Sequence, residues 1–207
     1  MSRLRPYLPR FLWILLVAVP LLTGCYLPDE FAAEVRVAAT GEYAITYRGL
    51  LTWVPLYSEI RQHKLSAKET REKLADIEKD LRRDTNFKEI QSLGDGRFRV
   101  RFERSGRLKE SEMVTFVRRN AMILSMTALK DGTLKIQGTS LGKDHAAKVS
   151  RMGLGMRGTL RVVTGATVKS SNANRTGSNG PFRVYDWKID TTMRASPKIV
   201  IRLMPGR

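Results

Sequence analysis

From Arg97 to Phe102 the chain alternates without exception, Arg97, Arg99 and Arg101 against Phe98, Val100 and Phe102. A helix would scatter these six residues around its axis, whereas a strand sorts them onto two faces, one apolar and one cationic. The chain must therefore build a sheet with one buried side. The same period of two recurs from Glu34 to Ala39, where Val35 and Val37 alternate with Glu34 and Arg36. Thr40-Gly41 then supplies a turn, and Tyr43, Ile45 and Tyr47 alternate with Glu42, Thr46 and Arg48, which predicts an opening hairpin. Ala121 to Ala128 is apolar on both faces and reads as a central strand, with Leu134 and Ile136 in its partner. Thr159–Val163 and Arg183–Ile189 are expected strands around a polar tip, Ser170–Gly180, read as a loop, and Lys198–Leu203 is the last strand.

Between the hairpin and the arginine strand the period changes to that of a helix. Tyr57–Lys64 suits a short helix, and Ser66-Ala67-Lys68-Glu69 then has the form of a capping box. Leu74, Ile77 and Leu81 form one apolar stripe, with Glu69–Lys73 and Glu78–Arg82 spaced as i,i+4 ion pairs. Asp144–Met152 is a further short helix. These elements predict an α+β fold, an antiparallel β-sheet with short helices inserted after the first hairpin, in a single domain over residues 34–207.

Residues 1–24 are set apart. Arg3, Arg5 and Arg10 precede an apolar run of 12 residues, Phe11 to Leu22, broken only by Pro20. That is short of the about 20 residues that span a bilayer, and it fits an export signal. The run ends in Leu22-Thr23-Gly24-Cys25, which resembles the lipobox of bacterial lipoproteins at all four positions. That resemblance implies cleavage after Gly24, a diacylglycerol thioether on Cys25 and acylation of the new amine. The protein would then be lipid-anchored in the cell envelope, outside the cytoplasm. Tyr26 replaces the aspartate that retains many enterobacterial lipoproteins at the inner membrane, which points to an outer membrane facing the periplasm in a Gram-negative cell. Residues 25–33 are expected to be a tether of roughly 15 Å, taken as a coil at about 5–6 Å × √n.

Composition narrows the chemistry. The chain carries 37 Lys and Arg against 20 Asp and Glu, a net +17, and residues 85–207 alone hold 24 basic and nine acidic side chains, a net +15. One cysteine excludes a disulfide framework and a Cys-rich zinc site, and two histidines, His63 and His145, leave little for a metal cluster. Gly153-Leu154-Gly155-Met156-Arg157-Gly158 spells G-x-G-x-x-G, but a helix precedes it and a strand follows, the reverse of a dinucleotide site. It reads as a helix C-cap and a turn. No nucleophile elbow accompanies His145, and Asp186 is expected to pair with an Arg or Lys across the sheet. No catalytic residue, metal or cofactor is expected, and export excludes cytoplasmic nucleic acid as partner.

The cationic face of the arginine strand therefore carries the functional reading. Cross-strand pairing with Glu110 or Glu112 would neutralise it, and a solvated face would leave it idle. Its third use is contact with anionic headgroups through Arg97, Arg99 and Arg101, at about 1 kcal/mol per cation near an anionic surface.

With the Cys25 lipobox and the early hairpin, the stretches Thr164-Gly165-Ala166-Thr167-Val168, Asn172-Ala173-Asn174 and Val184-Tyr185-Asp186-Trp187 resemble the LppM-type family of bacterial lipoproteins. The resemblance implies a lipid-anchored α+β domain that binds anionic lipid or glycolipid, with no catalytic residues. A scaffold docking an acidic envelope protein is the alternative, and a hydrolase of envelope material finds no motif in its support. Cys25→Ala should leave an unprocessed precursor that takes up no radiolabelled palmitate, and labelling equal to wild type would refute the lipobox.

Overall fold

A computed structural model of the chain describes residues 26–118, 121–191 and 195–204. The signal segment and Cys25 lie outside the described residues. β1 (Tyr26–Val37) and β2 (Glu42–Trp53) pair antiparallel as the expected hairpin, with Val35 opposite Ile45 and Val37 opposite Tyr43. Gly41, at φ +90°, makes the turn. Two helices follow, α1 (Val54–Arg61) and α2 (Ala67–Arg82). The capping box is formed: the Glu69 N–H donates to the Ser66 hydroxyl at 3.2 Å, and the Ser66 N–H donates to the Glu69 carboxylate at 2.8 Å. Leu74 and Leu81 are buried and Arg82 pairs with Glu78 at 2.7 Å, but Lys73 reaches Glu59 at 2.6 Å rather than Glu69.

The rest of the chain is β3 (Phe87–Ser92), β4 (Arg97–Arg107), β5 (Met113–Arg118), β6 (Ala121–Ala128), β7 (Thr133–Gly138), α3 (Lys143–Arg151), β8 (Gly158–Thr164), β9 (Thr167–Ser171), β10 (Arg175–Asn179), β11 (Phe182–Ile189) and β12 (Lys198–Arg202). The expectation of one antiparallel sheet with helices inserted into an α+β fold is overturned. The described residues are mostly β, in two sheets: seven strands in the order β10-β11-β8-β1-β2-β4-β3 and five in the order β5-β6-β7-β12-β9. The larger sheet is mixed, because β8 runs parallel to β1. Local alternation shows that a strand has a buried face but not which sheet it joins, and β8 finds β1 across more than 120 residues. The polar tip is also corrected. β9 and β10 are strands in which Val168 alone is not fully exposed, so no apolar period marks them.

Residues 26–33, read as a tether, belong to β1. Tyr26, Leu27 and Phe31 are buried, and Pro28 sits opposite Leu51 where β1 has a neighbour only on the β2 side. Its missing N–H therefore breaks no ladder bond.

One local device joins the start of β8 to β1. Glu30 (φ +47°) kinks β1 and shifts its register, turning Phe31 inward against Tyr47 at a ring distance of 5.6 Å. Glycines flank it on both sides. A Cβ at Gly49 would lie 2.5 Å from the Phe31 Cβ, and one at Gly158 would lie 2.4 Å from its carbonyl oxygen. Arg157 closes the clip. Its backbone N–H donates to Asp29 at 3.0 Å, its guanidinium adds bonds of 3.2 and 3.1 Å, and its carbonyl accepts from the Phe31 N–H at 3.1 Å. Burial alone would raise the Asp29 pKa, but the Arg157 guanidinium and the N–H groups of Glu30 and Arg157 outweigh it and hold the carboxyl below its ordinary 3.8.

Gly49→Ala and Gly158→Ala should each cost about 1–3 kcal/mol through overpacking, whereas Gly177→Ala, which meets open space, should be near neutral in urea denaturation. Asp29→Asn should cost about 1 kcal/mol at pH 7, discounted for the exposed Arg157. Because the folded pKa is lowered, Asp29 stabilises above 3.8 and loses that contribution as pH falls through the lowered value. The gap between the urea midpoints of the two proteins should therefore be full at pH 7 and narrow at pH 3.

Candidate functional site

β4 presents its arginines as the alternation requires. Phe98, Val100 and Phe102 are at most 3% exposed, and Arg97, Arg99 and Arg101 face outward. Neither Glu110 nor Glu112 pairs with them. Arg97 binds Asp95 at 2.7 Å, and Arg101 binds Glu89 at 2.8 Å and Glu103 at 2.6 Å. The Asp95 carboxylate holds the Arg97 guanidinium above its ordinary pKa, and Glu103, then Glu89, do the same for Arg101. Arg99, between Leu50 and Gln91, is the one of the three without a carboxylate partner among the described residues. The three cations are not equivalent.

A larger cationic groove lies on the same outer sheet face, toward β8 and β11. It has a volume of about 890 Å³ and is lined by Arg48, Arg157, Arg161, Arg175 and Lys188, with Glu34, Asp186 and Asp190 among them. Arg161 grips Asp186 in two bonds of 2.8 and 3.3 Å, the cross-sheet partner expected for that aspartate, and Asp186 raises the Arg161 pKa. Arg175 lies opposite Asp186 in the β10–β11 register, and Arg48 lies opposite Ala32 and Arg101. Sequence reasoning missed this groove because its cations come from four distant segments and because β10 carries no strand signal. The pairing expected for Asp186 was one sequence reading that touched a groove residue.

The third element is apolar. Between the two sheets, at the Tyr26 end, is a cavity of about 60 Å³. Tyr26, Leu27, Pro28, Phe31, Ala33, Ile45 and Tyr47 line it from the large sheet, and Phe116, Met122 and Leu124 from the small one. Leu141, Met156, Leu160, Ile189 and Pro197 add to the wall. Met122 and Leu124 thus front a cavity, while Met126, on the same strand, is packed in the core. Tyr47 brings no charge to it: burial, then the nearby Asp29, push its pKa well above 10, and its hydroxyl donates to the Leu50 carbonyl at 2.8 Å. Thr139, also in the wall, has its hydroxyl bonded to the Met122 carbonyl. Such a space suits a hydrocarbon segment and repels an ion. Ala33 and Ile189 border both the cavity and the cationic groove.

The glycine motif is a helix stop. After α3 the Leu154 N–H donates to the Val149 carbonyl and the Gly153 N–H to that of Ser150, a Schellman motif with Gly153 at φ +75°. His145 is exposed on α3, and His63 is exposed after α1 at φ +52°. Among the described residues no group of His, Cys, Asp or Glu is arranged to hold a metal ion. No described helix is long and apolar enough to cross a membrane.

No family model and no curated protein matches the chain. Among solved structures, the folded domain of the Mycobacterium tuberculosis LppM protein, determined by NMR, is similar over 87% of this chain and 92% of that chain, at 12% sequence identity and a TM-score of 0.41.

Proposed function

We propose that the protein is an exported, lipid-anchored envelope domain that binds an anionic amphiphile, a lipid or glycolipid. The hydrocarbon end enters the cavity and the anionic head meets the groove. One observation carries the reading: an uncharged apolar cavity between the sheets and a groove of five cations and three carboxylates on the outer face of the larger sheet share Ala33 and Ile189 in their linings. Magnitudes support a composite site rather than either half alone. A space of about 60 Å³ takes only a few methylenes, worth about 0.8 kcal/mol each. The cations add about 1 kcal/mol apiece at a headgroup, less where a carboxylate already holds them. Together these reach a modest affinity, while separately they give almost none.

Native mass spectrometry of the mature protein should reveal one non-covalent lipid beyond the acyl groups of Cys25. Ala33→Leu, which fills the cavity, and the pair Arg48→Gln and Arg175→Gln, which thins the groove, should each lower the affinity for lysophosphatidylglycerol about tenfold, or about 1.4 kcal/mol. No retained lipid together with no uptake of lysophosphatidylglycerol would overturn the reading. Uptake that falls in the cavity variant but not in the groove variant would restrict the site to hydrocarbon.

A further inference from the structure

We infer that the Tyr26 end of the sandwich is the membrane-contacting surface, and that α3 and its C-terminal turn lie against the anionic headgroups of the bilayer holding the anchor. The inference rests on the reading of Cys25 as the lipidated residue. Tyr26, the next residue, is 6% exposed and sits in register with Trp53, their rings 4.7 Å apart. One peptide unit, about 3.8 Å between Cα atoms, thus separates the lipidated residue from the packed sheet. A chain with a long tether could tumble above the bilayer, whereas here the packed sheet begins at the residue after the anchor.

What surrounds Tyr26 fits a headgroup layer. Both ends of the α3 segment are pinned there: Leu141 and Met156 line the cavity with Tyr26, and the Tyr57 hydroxyl donates to the Met152 carbonyl at 3.5 Å. Between those pins, Lys143, Lys148 and Arg151 are exposed, with Asp144 as the segment's one acidic residue. Ala146 and Val149 hold the helix down. The turn that follows shows half-buried Met152 and Leu154, and half-buried Trp53, whose ring packs on Tyr26, comes four residues before the Tyr57 that bonds Met152. Cations outside, an apolar turn and a tryptophan together make the composition of an interfacial surface. Charge complementarity selects an anionic bilayer as the occupant, and the cavity lies at that same end.

The mature chain holds two tryptophans, Trp53 and Trp187, and Trp187 is buried on β11, bonded to Asn172. The mature lipoprotein is reconstituted into vesicles of phosphatidylglycerol and phosphatidylcholine whose acyl chains carry bromine. Trp187→Phe leaves Trp53 as the reporter, and Trp53→Phe leaves Trp187. The Trp53 signal should fall by at least half and the Trp187 signal by less than a tenth. The triple variant Lys143→Gln, Lys148→Gln and Arg151→Gln should cut the Trp53 quenching at least twofold without loss of the anchor, as flotation reports. Equal quenching of the two tryptophans, or none with flotation intact, would overturn the inference while leaving the lipid-binding site standing. Loss of flotation with wild-type protein would overturn the anchor and this inference together. Circular dichroism of each variant separates misfolding from reorientation, and NBD on Leu154→Cys in the mature lipoprotein, where the thioether leaves Cys25 no free thiol to label, reads the same contact without touching the cations.

Discussion

Phe116 is where the two sheets become one body. It comes from β5, an edge strand of the small sheet, and enters the buried face of the large one. There its ring stands 4.7 Å from Tyr47, 4.7 Å from Phe102 and 6.3 Å from Phe87. Each such pair adds about 0.5–1.5 kcal/mol beyond the area it buries. Neither sheet can satisfy its apolar face alone, so closure of this stack decides whether both persist. The apolar cavity begins at the same stack, since Tyr47 and Phe116 form part of its wall and Ala33 is too short to fill the space. Packing and candidate site are thus two sides of one aromatic contact.

That dependence explains which parts of the molecule could be read without coordinates. Period and capping are local, so the hairpin, the Ser66 box, the arginine strand and the glycine stop after α3 were legible. Partnership is not local. Nothing in Gly158–Thr164 says that it lies parallel to β1, and nothing in Arg175–Asn179 says that it is a strand. Tyr26–Ala33 looked like a linker because Pro28, Asp29 and Glu30 break its apolar pattern. The fold accommodates each of them, with an unpaired edge at Pro28, the Arg157 clip at Asp29 and the kink at Glu30. The cavity was half-legible. Met122 and Leu124 were marked as apolar on a central strand, but whether such residues close on neighbours or leave a gap depends on a second sheet.

Charge was the reverse case, plain in the sequence and reinterpreted by the fold. A net +15 over residues 85–207 suggests a uniform cationic surface. Instead many cations are spoken for: Arg97 by Asp95, Arg101 by Glu89 and Glu103, Arg107 by Glu42, Arg157 by Asp29 and Arg161 by Asp186. Surface pairs of this kind contribute little stability individually, about 0–1 kcal/mol. They do set where excess charge remains, and that choice concerns recognition more than folding.

Strand direction then ranks those charges by distance from a bilayer at the Tyr26 end. β4 runs parallel to β1, because each is antiparallel to β2, and Thr52 opposite Arg97 places that arginine beside the Tyr26–Trp53 pair. A strand advances about 3.3 Å per residue, so Arg99 stands roughly 7 Å and Arg101 roughly 13 Å farther along if the strands rise from the surface. The Debye length at physiological salt is about 8 Å. On that geometry Arg101 contributes little attraction, and Arg97, nearest the membrane, is already engaged by Asp95. A stripe that looks like three equal contacts in sequence reduces to Arg99 and a partly neutralised Arg97. The cations of α3 belong to a segment whose two ends, Leu141 and Met156, sit at the Tyr26 end. On the inferred orientation they would carry no such handicap, and a short helix would outweigh the conspicuous strand in attracting the domain to an anionic surface.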